Sequence, residues 1–103
     1  MNNLNSALLE GKMIGDPQDD NGKLTFMLAS KRFFRQANRG IEEEITNVGI
    51  EVWGDLVDIC RAKGHTGRPV RVVGWLRQID SSGIVIVAEH IEYRPERKEG
   101  EEK

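Results

Sequence analysis

Polar and apolar positions alternate along most of the chain, and the period changes once. From Lys23 to Ser30, Leu24, Phe26 and Leu28 share one side and Thr25 and Met27 the other, which predicts a half-buried strand. Val48, Ile50 and Val52 do the same between Ile45 and Trp53, leaving Asn47, Gly49, Glu51 and Trp53 on the opposite face. Glu51 marks that face as solvent-facing, so Trp53 points outward with it. A fourth strand over Pro69–Ile79 sets Val70, Val72, Gly74 and Leu76 inward and Arg71, Val73, Trp75 and Arg77 outward. The fifth, Ile84–Tyr93, begins with five residues apolar on both faces, as in a strand covered from both sides or lying at an interface. The first strand spans Leu4–Ile14, and Gly11 within it marks a bulge or a close backbone approach. Residues 15–23 then form a turn cluster whose Asn21-Gly22 pair is the strongest hairpin signal in the chain.

Between the third and fourth strands the period becomes helical. Asp55 is placed to cap the helix, Leu56, Ile59 and Cys60 or Lys63 fall at i, i+3 and i+4 spacing, and Lys63-Gly64 predicts a left-handed close. The order β-β-β-α-β-β fits an all-β, five-stranded OB-fold: a small Greek-key barrel with one short helix between strands 3 and 4. An SH3-like barrel also has five strands but needs no helix there. The expected organisation is one OB-fold domain over residues 1–93 and a polar disordered tail over 94–103, which lacks an apolar anchor.

Composition narrows the function. With 15 basic and 17 acidic residues the net charge is −2, so no bulk field draws in a polyanion. The distribution is uneven, however. Ala29–Gly40 carries Lys31, Arg32, Arg35 and Arg39 around Phe33 and Phe34 with no acid, and Glu42-Glu43-Glu44 follows as a solvated loop. A single cysteine, Cys60, permits no internal disulfide and reads as a small buried thiol. Neither a secretion signal nor a run approaching the roughly 20 apolar residues of a membrane span is visible, so a cytoplasmic, nucleoid-associated protein is expected. His65 and His90 have no partner at ligand spacing, and no nucleophile elbow, phosphate-cradling glycine loop or zinc spacing occurs. The expectation is a protein that is not an enzyme and needs no metal or cofactor.

Binding, by contrast, has a mechanism. Every nucleobase offers a π-face, and stacking on an outward aromatic is worth roughly 1–3 kcal/mol per base without reading its identity. Adjacent cations neutralise phosphates and release counterions. Trp53 with Phe33 or Phe34 supplies the stacking surfaces; Lys31, Arg32, Arg35, Arg39, Arg71 and Arg77 supply charge, with Lys12 a further candidate. Trp75 and Val73 read as a subunit interface ahead of an extension of the nucleic-acid track, because monomers seldom expose such patches.

Five segments in register resemble bacterial single-stranded-DNA-binding proteins: LNSALLEGKMIGDP, TFMLASKRFF, VGIEVWGDLVDIC, VRVVGWLR and VAEHIEY, together covering residues 4–93. The resemblance implies a homodimeric or homotetrameric OB-fold that coats single-stranded DNA without sequence choice, in replication, repair or recombination. It carries the stacking aromatic at the end of strand two onto Phe34, with Phe33 one residue away, and the aromatic before the helix onto Trp53. There are departures. Asn47 stands where the family often has an aromatic, the hairpin between strands four and five is cut to Asp80–Gly83, and Glu51 adds a negative charge. Losing two stacking surfaces implies weaker binding, by roughly 2–6 kcal/mol if nothing substitutes. The family's acidic tip, which recruits replication and repair proteins, has no full counterpart in EGEEK, so the chain resembles a core without its tail or a short paralogue. A primosome-like OB-fold adaptor, whose aromatics mainly bind protein, is the alternative, and a sugar-binding OB domain a distant third.

Overall fold

The computed structural model describes residues 1–96. Five strands, β1 (Ala7–Asp20), β2 (Lys23–Gln36), β3 (Gly40–Val52), β4 (Pro69–Gln78) and β5 (Ile84–Tyr93), close into a barrel in the order β1-β2-β3-β5-β4. The helix α1 (Leu56–Lys63) lies between β3 and β4 in sequence. All pairings are antiparallel except β3 with β5. This is the expected OB-fold, and β5 lies between β3 and β4.

The core is built from the alternating positions. Leu24, Phe26 and Leu28 of β2 face Ile50 and Val52 of β3, Val70 and Val72 of β4, and Ile86 and Ile91 of β5, with Met13 and Cys60 filling the gaps. Cys60 is fully buried, as expected of a packing thiol. Gly11 is the predicted close approach: a Cβ there would lie 2.1 Å from the carbonyl oxygen of Ala29. Gly74 plays the same part between β4 and β5, 2.0 Å from the carbonyl oxygen of Val87, beside a bulge that shifts the register between Val73 and Gly74.

Several local expectations are corrected. β1 does not stop at Ile14 but runs through Asp16-Pro17 to Asp20, with an irregularity between Ile14 and Gln18 and Gly15 at φ +82°. The Asp16 carboxylate accepts from the Thr66 amide (2.8 Å) and hydroxyl (3.0 Å), tying the strand to the loop after the helix. The turn shrinks to Asn21-Gly22, at φ 56° and 90°, the left-handed pair a tight hairpin demands. Asp55 makes no side-chain cap to α1. Gly64 is extended rather than left-handed; its amide donates to the Cys60 carbonyl (2.8 Å), and a Cβ there would lie 2.8 Å from the same backbone oxygen. Leu76, expected inside, is exposed at the end of the barrel, opposite Ile86.

Candidate functional site

The largest departure from the sequence reading is the segment Ala29–Gly40. Its phenylalanines, expected at the end of the second strand or in a loop beyond it, lie within β2, which continues past Ser30 to Gln36. β2 and β3 stay paired from Leu24↔Val52 out to Gln36↔Gly40, so residues 31–45 form a two-stranded arm projecting from the barrel. The turn at its tip uses Gly40 at φ +79°. Sequence reasoning missed the arm because charge broke the apolar alternation; a cationic run, Lys31-Arg32, and an acidic run, Glu42–Glu44, on opposite sides of one turn were the available signal.

Directly opposite residues in an antiparallel pair share a face. Phe33 therefore lies opposite Glu43 on the outer face, in line with Thr25, Met27 and Lys31, whereas Phe34 lies opposite Glu42 on the other face. Phe33 is 63% exposed; Phe34 is half-buried, with the Arg32 guanidinium 4.9 Å from its ring centre. Outer-face parity thus places Phe33, not Phe34, on the side that carries Trp53.

Trp53 closes the outer face at the other end of β3. Its ring is 46% exposed, its indole Nε1–H donates to Glu51 (3.1 Å), and Lys23 Nζ stands 5.0 Å from its ring centre. Glu51 was expected to be solvated and is instead 5% exposed. Arg77 grips it from β4 through Nε (3.2 Å) and a terminal nitrogen (2.6 Å), so both carboxylate oxygens are used. Burial alone would raise the Glu51 pKa, but the hydrogen bonds from Arg77 and Trp53, with the charges of Arg77 and Lys23, hold it below the ordinary glutamate value.

Most of the predicted phosphate-binding cations have carboxylate neighbours. Lys31 pairs with Glu43 (3.1 Å) and Arg32 with Glu44 (3.5 Å) across the arm, and Arg77 is held by Glu51. Arg71 sits on the far side of the barrel between Glu10 (3.3 Å) and Glu92 (3.6 Å), in a cluster that Arg94 joins. Arg35, Arg39 and Lys12 make no ion pair among the described residues. Arg35 and Arg39 lie at the arm tip; Lys12 lines a surface cavity of about 540 Å³ with Lys31, Ala29 and Ile45. Val73 is half-buried and pairs on the outer surface with Leu8, which is largely exposed. Trp75 turns away from that pair toward Trp53, lining a second cavity with it.

Among the described residues no group of three or more His, Cys, Asp or Glu is placed to hold a metal ion. None of their helices is long and apolar enough to cross a membrane.

No family model matches the chain. A curated relative, single-stranded DNA-binding protein 2 of Chlorobaculum tepidum, is 29% identical over 116 positions, spanning 99% of this chain and 78% of that protein. Three solved structures share the fold. An SSB from Plasmodium falciparum in complex with ssDNA gives a TM-score of 0.78 at 24% identity, covering 92% of this chain and 98% of that one. A small single-stranded DNA-binding protein from Streptomyces coelicolor gives 0.74 at 18%, covering 95% and 100%. A deletion variant of the single-stranded DNA binding protein from Thermus aquaticus gives 0.76 at 22%, covering 91% of this chain and 52% of that one. The resemblance carried by the five sequence segments, and the OB-fold it implied, are borne out.

Proposed function

We propose that this protein binds single-stranded DNA without sequence choice, along the outer face of β2 and β3, and protects it during replication, repair or recombination. The observation that carries the proposal is the placement of Phe33 and Trp53: two exposed aromatics on one face of a continuous strand pair, with cations between and around them. The likeness to single-stranded DNA-binding proteins supports it. Bases stack on the two rings, Lys31, Arg35, Arg39 and Lys12 meet phosphates, and Arg32 braces Phe34 beneath the arm. On this reading the protein acts as a binder.

The test is anisotropy of labelled oligo-dT and of a mixed-sequence strand of equal length. The wild type is expected to bind both within a few-fold of one another. Phe33→Ala and Trp53→Ala should each weaken binding roughly 5- to 150-fold, the equivalent of 1–3 kcal/mol. Unchanged affinity in both variants would sink the proposal.

One observation favours a second reading. Lys31, Arg32, Arg71 and Arg77 already have carboxylate partners, as suits an oligomeric adaptor whose aromatics meet protein. Either reading includes self-association to a dimer or tetramer, and Leu8 with Val73 is the exposed apolar pair that supports it. Val73→Glu should lower the mass seen by light scattering; an unchanged mass removes that pair from the interface.

A further inference from the structure

Two side chains on the outer surface of the barrel are as buried as its core. Glu51 is 5% exposed and Val87 also 5%, although both point away from the interior. Their neighbours explain it. In register, Glu51 of β3 lies beside Val87 of β5, and Val87 lies beside Trp75 of β4. Trp75 ends this row and Trp53 stands two residues beyond Glu51, and with Arg77 and Val87 they line a cavity of about 400 Å³. Ligand clefts begin at roughly 300 Å³.

Trp75 lies in the row of Glu51, two strands across, and Trp53 two residues further along β3, so the indoles flank the cavity diagonally with their roots roughly 12 Å apart. A base stacks on an indole face at about 3.5–4 Å. The walls are held in place. The indole N–H of Trp53 and the guanidinium of Arg77 share the Glu51 carboxylate. Lys23 covers one side of the Trp53 ring and takes no part in lining the cavity.

We infer that the Trp53–Trp75 cleft is a slot for a single unpaired nucleobase, and that Trp75 belongs to the nucleic-acid site rather than to a subunit interface. This rests on the single-stranded-DNA reading above and extends it to a third strand. It also replaces part of what the missing aromatics at Asn47 and in the Asp80–Gly83 hairpin would have contributed.

The chain has two tryptophans, so Trp53→Phe leaves Trp75 as the only indole reporter while keeping a stacking ring in place. Titrated with oligo-dT, with anisotropy following occupancy, the Trp75 emission is expected to be quenched in step with binding. In the otherwise native chain, Trp75→Ala should lower oligo-dT affinity roughly 5- to 150-fold with no change in mass by light scattering. The slot is overturned if the wild type binds oligo-dT while Trp75→Ala binds within two-fold of it, or if that variant loses subunits and keeps its affinity per barrel. Either result leaves the coating function intact. Failure of the wild type itself to bind oligo-dT removes both.

Discussion

Glu51 shows how one buried charge organises a surface. Its two oxygens accept from Arg77 and Trp53, and removing a partner leaves a desolvated acceptor unmet. Arg77→Ala should therefore destabilise the fold by about 1–3 kcal/mol, and adding Glu51→Gln should recover part of that loss; urea unfolding of the three proteins checks both. The sign with pH follows from the lowered pKa. A carboxylate whose folded pKa lies below its unfolded value contributes full stability above about pH 4.3, and the contribution is lost as pH falls through the folded value. Wild type should lose stability over that acid window more steeply than Glu51→Gln. At this scale the sequence was legible in part. Alternation placed Glu51 and Trp53 on the same face, but alternation reports direction and not cover. The cover includes Arg77, two strands away, and no local pattern carries that.

At the scale of elements, the strands were readable wherever apolar residues alternated, and their ends were not. The core halves of β2 and β3 are found where the pattern put them, while the arm halves, held by backbone pairing and facing charges, had no apolar period to betray them. Asp16-Pro17 reads as a turn dipeptide, yet it sits inside β1, where the bend is stabilised by hydrogen bonds to Thr66 that no spacing rule supplies. Gly11 was legible because a lone glycine in a strand implies a close neighbour. The neighbour is backbone and cannot give way, so Gly11→Ala forces β1 and β2 apart. A cost of about 3 kcal/mol lowers the melting temperature of a domain this size by about 12–24 °C; calorimetry on the variant checks it. The same substitution at Gly22, where no atom lies within 4 Å, is opposed only by its positive φ and should cost less.

For the molecule as a whole, the order of elements was enough to give the barrel, because five strands and one intervening helix leave few ways to close. The arrangement of charge was not, since a net value of −2 says nothing about which acid faces which base. In the folded arm, Lys31 and Arg32 stand against Glu43 and Glu44, so positive and negative charge alternate over distances shorter than the roughly 8 Å screening length of physiological salt. Such a field cancels within a few ångströms of the surface. An approaching strand is thus not steered from afar and meets the protein by unguided diffusion, at about 10⁵–10⁶ M⁻¹s⁻¹ and nearly independent of ionic strength. Replacing Glu42, Glu43 and Glu44 together by glutamine uncovers the cations. Stopped-flow mixing with oligo-dT should then show a faster association whose rate falls as salt is raised.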